Sequence, residues 1–167
     1  MTVTDDTGVM SLEQRLRCLE DINEIQRLKS EYTLACDDNY NPDAICELFT
    51  DDGLWSMNVF GHYEGKEAIR GFFTSVSKQI VWSLHAATTP SIGVSSDGTT
   101  AVGTWYLLAP CTVARDDGSG QKDAVVVTGN YQDKFRKVDG RWYFTEITAR
   151  IHQISNLDEG WVRQPFR

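Results

Sequence analysis

Apolar residues recur at steps of three and four along the first part of the chain: Leu12, Leu16, Leu19, Ile22, Ile25 and Leu28, then Tyr32 and Ala35. That spacing lays one stripe along a single face of a helix. Pro42 in "NYNP" cannot continue the same hydrogen-bonded ladder. Ala44, Ile45, Leu48 and Phe49 then mark a second, short helix, which "TDDG" stops with a turn. "LWSMNVF" alternates weakly as a strand, "GHYEG" brings the chain back, and "KEAIRGFFTSVSKQI" predicts a third amphipathic helix with Ala68, Ile69, Phe72, Phe73 and Val76 on its buried side. After that the period changes. "IVWSLHAATTPSIGV", "TTAVGTWYLLAPCTV", "DAVVVTGNYQDKFRKV" and "WYFTEITARIHQI" are strand-forming runs separated by "SSDG", "RDDGSG" and "VDGR". Asp-Gly between such runs signals hairpins, so these predict four long antiparallel strands in a meander.

Helices first and a curved antiparallel sheet second predict an α+β fold, a cone-shaped barrel of curved sheet covered by three N-terminal helices. Gly93, Gly103 and Gly129 inside the strands predict bends or bulges that curl the sheet around a cavity. Neither an internal repeat nor a linker interrupts the pattern. One domain is expected over residues 12–167, after a disordered lead-in at 1–11.

Charge narrows the ligands. The net charge is −8 over 167 residues, and no Lys/Arg cluster stands out. This argues against nucleic acid, whose binding needs phosphate neutralisation, and against an anionic membrane surface. No run approaches the ~18 apolar residues of a membrane span. The N-terminus has neither the basic nor the apolar region of a secretory signal. Cys18, Cys36, Cys46 and Cys111 are scattered without a C-x-x-C pair, the pattern of reduced cysteines in a cytoplasmic protein. His62, His85 and His152 lie far apart and form no metal motif, "ARDDGSGQKD" fails the calcium-loop spacing, and no phosphate loop is present. Neither a metal nor a cofactor is expected. A hydrophobic small molecule remains.

Two polar residues are misplaced for stability alone. His85 sits inside a run of strand formers, where alternation groups it with Val81, Ser83 and Ala87, opposite Trp82, Leu84 and Ala86. Its small face-mates leave space beside the imidazole; a surface or hydrogen-bonded core histidine is the ordinary alternative. Asp37 lies near the C-terminus of the first helix in "EYTLACDD", where the helix dipole opposes a negative charge. Its neighbour Asp38, ~100° around the helix, is expected in solvent. Tyr32 lies ~140° from Asp37, so fraying of the helix end is needed to bring both toward a pocket. A core tyrosine is the alternative for Tyr32. Trp55, Trp105, Phe60, Phe73 and Val127 could line the cone, while Thr128 and Asn130 share one strand face and could offer polar contacts. Arg150 and His152 share a face with Glu146, which a solvated strand edge explains equally.

The phrases "CELFTDDGLW", "YEGKEAIRGFF", "LHAATTPSI", "AVGTWYL" and "YQDKFRKVDGRWYF", in this element order, resemble the SnoaL-like branch of the nuclear-transport-factor-2-like superfamily across roughly residues 12–153. Scytalone dehydratase, hexachlorocyclohexane dehydrochlorinase and bile-acid 7α-dehydratase belong to that branch. They use a histidine on the first long strand and an aspartate after the first helix, positions matched here by His85 and Asp37. The bile-acid enzyme's "H-x-x-x-T-P-x-I" phrase is matched by His85, Thr89, Pro90 and Ile92, its tyrosine before the aspartate by Tyr32, and its Gly-x-Trp-Tyr-Leu by Gly103, Trp105, Tyr106 and Leu107. Its second aspartate is Ala109 here, and its arginine aligns with Arg150 only after a one-residue slip, which reverses the face in a strand.

The resemblance implies a cofactor-independent lyase of dehydratase type acting on a hydrophobic polycyclic or aromatic molecule such as a steroid, polyketide or terpenoid. His85 would be the base, Asp37 its partner, and Tyr32 the group polarising a substrate oxygen. Trp55, ranked first from the dehydrochlorinase, Trp105, Phe60, Thr128, Asn130 and Arg150 would bind the substrate. An isomerase or cyclase with the same base, and a non-catalytic binding module, remain open, because this superfold hosts all of them. The relatives imply a homo-oligomer, trimer or dimer. Trp161 and Phe166 in the tail would either cap the pocket or meet a neighbouring subunit.

Overall fold

A computed structural model describes residues 10–166; of the expected lead-in at 1–11, all but Met10 and Ser11 lie outside the described residues. Ser11 caps helix α1 (Leu12–Asp37), accepting from the Gln14 N–H while the Gln14 side chain accepts from its own. The apolar stripe divides in two. Ile25, Leu28, Tyr32 and Ala35 are buried, whereas Leu12, Leu16 and Leu19 are exposed on the half that runs past the sheet. Asn41 caps α2 (Pro42–Glu47), where Pro42 occupies the first turn, needing no N–H there. Helix α3 (Lys66–Gln79) buries Ile69, Phe72, Phe73 and Val76; Ala68 is exposed.

The strands are β1 (Phe49–Met57), β2 (Gly61–Glu64), β3 (Ile80–Ser83), β4 (Ala86–Val94), β5 (Thr100–Ala114), β6 (Lys122–Val138) and β7 (Arg141–Asn156), followed by a short helix α4 (Gly160–Arg163). They form a curled half-barrel in the order β2-β1-β7-β6-β5-β3, with β4 also paired to β5. The expected α+β cone is the observed architecture. The four-stranded meander is antiparallel throughout, as expected, while β1, which lies outside it, runs parallel to β7. "TDDG" is absorbed into β1 at a register shift between Phe49 and Leu54 instead of ending in a turn. Gly53 permits this fold-over, since a Cβ there would lie 2.8 Å from the Phe49 ring. The first long strand is also broken, at Leu84–His85, into β3 and β4.

Gly129 marks a true bulge against β7, where a Cβ would stand 2.4 Å from the Arg150 carbonyl oxygen. Gly103 does not. It pairs regularly, and its missing side chain makes room for the Trp105 ring, 2.4 Å from where a Cβ would sit. Gly93 is regularly paired as well.

The concave face of β5, β6 and β7 packs on the helices through Leu107, Tyr131, Phe135, Phe144 and Ile147. At its narrow end the ammonium of Lys29, 2% exposed, donates to Asp133 Oδ2 at 2.8 Å. The ammonium also sits 3.3 Å from the Tyr131 ring centre, 4.9 Å from Tyr32 and 5.2 Å from Trp105. Burial lowers the Lys29 pKa and raises that of Asp133 to about 6, and the attraction between the two opposes both shifts. The convex face carries exposed Trp82, Leu84, Val102, Tyr106 and Leu108.

Candidate active site

Between the helices and the concave sheet lies a cavity of about 300 Å³. Trp55, Met57, Phe72, Phe73, Leu107 and Val127 make its walls mostly apolar, with Gln79 and Asp116 among the polar lining residues. Ala109, where the resemblance placed an aspartate, lines the cavity and leaves that wall apolar.

His85 enters this cavity at the break between β3 and β4. The strand is interrupted there because the Asp37 carboxylate takes over the His85 backbone N–H, at 3.0 and 3.2 Å from its two oxygens. The same carboxylate lies 2.7 Å from ring Nδ1. A carboxylate only accepts, so Nδ1 carries a proton, and in the neutral ring it is Nε2 that presents the lone pair. No fraying of α1 is needed to bring Asp37 and Tyr32 to work: the helix closes normally, with the Asp38 N–H on the Leu34 carbonyl at 2.9 Å. Tyr32 lines the cavity while Asp37 reaches the strand break from behind the imidazole. Asp38 is exposed and accepts from the Asn41 side chain.

Tyr32 Oη accepts the Trp55 indole N–H at 2.9 Å, which orients the hydroxyl. Burial raises its pKa well above the ordinary range, so it remains a phenol. Trp55 packs on Phe72 with ring centres 4.4 Å apart, and Phe60, 41% exposed, also lines the cavity.

One residue escaped the sequence reading. Tyr40 lines the cavity and places Oη 3.3 Å from His85 Nε2. Both Asn39 and Tyr40 have positive φ, 53° and 51°. This left-handed pair turns the chain back so that the Tyr40 ring stacks near Phe73, at 6.0 Å, and meets the His85 ring edge-on at 5.5 Å. Nothing in "DDNY" distinguishes that tyrosine from a loop residue.

Four expected contacts lie elsewhere. Trp105 is on the concave face but at the narrow end, over Gly103 and beside Lys29. Thr128, Asn130 and Arg150 adjoin Val127, Tyr131 and Ile151, which line the cavity, so alternation turns them to the other face. Thr128 there donates to Gln153, Asn130 pairs across to Tyr106 and Arg150, and Arg150 is exposed, as is His152. The tail does not reach the lining either. It runs beside the end of β7, where the Ile154 N–H bonds the Pro165 carbonyl, and leaves Trp161 and Phe166 exposed.

The Asp37–His85 contact is an arrangement able to move a proton. Among the described residues no group of His, Cys, Asp and Glu side chains is placed to hold a metal ion. Burial pushes the Cys36 and Cys111 thiols up to about 12, so neither is a ready nucleophile.

The sequence pattern of the SnoaL-like domain matches residues 17–148. The chain belongs to the SnoaL-like domain family. Solved structures of similar shape include a protein of Novosphingobium aromaticivorans provisionally named an aromatic ring hydroxylase, 27% identical over 83% of this chain and 94% of its own, with a TM-score of 0.71. A protein of the same organism provisionally named a scytalone dehydratase is 22% identical over 85% and 91%, with a TM-score of 0.74. A hexachlorocyclohexane dehydrochlorinase, LinA type 2, is 19% identical over 86% and 93%, with a TM-score of 0.75. The last two likenesses carry the fold. Among the described residues of this SnoaL-like protein, no helix is long and apolar enough to cross a membrane.

Proposed function

We propose that this SnoaL-like protein is a cofactor-independent lyase that removes water from a hydrophobic hydroxy-carbonyl compound. The observation that carries the reading is the Asp37–His85 pair, 2.7 Å apart, with His85 among the residues lining a mostly apolar cavity. Nε2 takes the proton next to the substrate carbonyl, and Asp37 stabilises the imidazolium that results. Trp55 orients the Tyr32 hydroxyl, whose hydrogen is available to the carbonyl oxygen as negative charge builds there. In a site poor in water these interactions exceed their strength in solution. The names of the dehydratase and dehydrochlorinase neighbours agree with elimination chemistry.

Size narrows the substrate. The cavity of about 300 Å³ corresponds to roughly ten water molecules, or at crystal-like packing ~15 non-hydrogen atoms. That suits a one- or two-ring aromatic, polyketide or terpenoid compound better than a four-ring steroid. A tetralone bearing its hydroxyl β to the ketone is a fitting probe, because loss of water yields a fluorescent naphthol. Mass spectrometry is expected to show a product lighter by one water. An unchanged mass with a new structure would mean isomerisation, and saturable binding without turnover would mean a binding module. The second outcome has one observation in its favour: Asp37 also serves the backbone of His85.

The reading includes a homo-oligomer. Trp82, Leu84, Val102, Tyr106 (62% exposed) and Leu108 form an apolar convex face, and beside it the buried Asn130 Oδ1 has no hydrogen-bond partner among the described residues. A second copy would cover this face. Tyr106→Glu is expected to shift sedimentation to the monomer; an unchanged coefficient would place the contact elsewhere. All four cysteines are unpaired, in keeping with a reducing, cytoplasmic compartment.

A further inference from the structure

An elimination needs an acid as well as a base, because hydroxide is a poor leaving group. His85 has one nitrogen for both tasks, since Nδ1 is held by Asp37. Tyr40 is the other polar group at Nε2. We propose that Tyr40 is a catalytic residue, the acid that carries the proton from His85 Nε2 to the departing oxygen. This rests on the elimination reading above.

The step balances. The C–H bond next to the carbonyl breaks, its proton goes to Nε2, and its electron pair forms the new double bond. The C–O bond breaks with its pair on oxygen, which takes the Tyr40 hydroxyl hydrogen. Tyr40 Oη recovers a hydrogen from Nε2–H across the 3.3 Å contact. Water leaves, and both side chains return to their starting state.

Three features of the structure support it. The Tyr40 ring lies in the cavity wall, so Oη meets the substrate as well as the imidazole. Burial raises the Tyr40 pKa, which keeps its proton in place until a strong base, the nascent hydroxide, forms beside it. The left-handed backbone at Asn39 and Tyr40 is unfavourable for residues with a side chain. It is locked by the Tyr40 N–H on the Cys36 carbonyl and the Asn41 N–H on the Ala35 carbonyl, both 3.0 Å. Such strain fits a side chain held for a purpose.

The test compares two leaving groups on the same ring system: the β-hydroxy tetralone, which needs an acid, and its acetate ester, which needs little help. Tyr40→Phe keeps the ring and its packing. It is expected to lose about a hundredfold in kcat on the alcohol, and at least tenfold less than that on the acetate. On the intact protein in D2O, the solvent isotope effect on the alcohol is expected to report one solvent-derived proton in flight, the Tyr40 hydroxyl hydrogen, and on the acetate none, because the hydrogen removed from carbon does not come from solvent; this measurement is independent of how the variant folds. Equal losses on both probes, or the same solvent isotope effect on both, would overturn the relay while His85→Ala still abolished turnover. If His85→Ala matched the unsubstituted protein, or neither probe turned over, the elimination reading itself would fail and the relay with it.

Discussion

His85→Ala is expected to slow dehydration of the tetralone probe by about a thousandfold or more, the scale of a positioned general base. The fold should survive the change. In the variant Asp37 keeps its bonds to the residue 85 backbone N–H, and its carboxylate is partly solvated, 27% exposed. The expected loss of stability is that of one net hydrogen bond, about 1 kcal/mol, visible as a shift of a few degrees in a thermal melt followed by circular dichroism. Asp37→Asn separates the two duties of this residue. An amide oxygen can still accept from Nδ1–H, but the amide nitrogen then faces the His85 N–H and the charge that steadies the imidazolium is gone. Turnover should fall about a hundredfold with the melting point lowered more than in His85→Ala. A His85→Ala protein within threefold of the original rate would end the case for this base.

Lys29→Met is expected to lower the unfolding free energy by about 3–5 kcal/mol, because it strands the buried Asp133 carboxylate. Lys29→Met combined with Asp133→Leu should recover most of that loss, since two apolar side chains spare the site the desolvation of two charges. Denaturant titration of the single and double variants measures both. The pH dependence has a definite sign. In the intact protein the Asp133 pKa is raised from 3.8 to about 6, so its contribution is fully present below 3.8 and is lost as pH rises through about 6. Removing Lys29 removes the attraction that restrains this rise. The single variant should therefore be more stable near pH 5 than near pH 7, by more than the parent is. A flat profile in the variant would mean that the carboxylate reaches solvent.

The helix and strand plan was legible because its signals are local. The spacing from Ile25 to Ala35 fixes the buried side of α1, and the Asp-Gly turns fix the hairpins that follow. What escaped is set by partners distant in sequence. Nothing in "LWSMNVF" says that its neighbour runs parallel, because pairing direction leaves no mark on a strand's own pattern. Lys29 reads as a solvent-facing residue of α1 until Asp133, 104 positions later, is brought against it. Thr128 and Asn130 are expected in the site from the strand face they share and Arg150 from the resemblance, whereas which way that face points is set by the registers of β6 and β7 around the Gly129 bulge. Asp37 and His85 stood out because each is unfavourable where it stands in its own element. Tyr40 carries no such mark: its position depends on two left-handed residues that no periodicity announces.

The carboxylate of Asp37 joins the end of a helix, a gap in a strand and an imidazole ring through three short contacts. Docking of α1 onto the sheet is thereby made a precondition of reactivity. Partial loosening of that helix, by heat or mild denaturant, should silence the proposed dehydration while the barrel strands are still intact. Inactivation would then precede melting, and the interval between them would measure how firmly the helix is held.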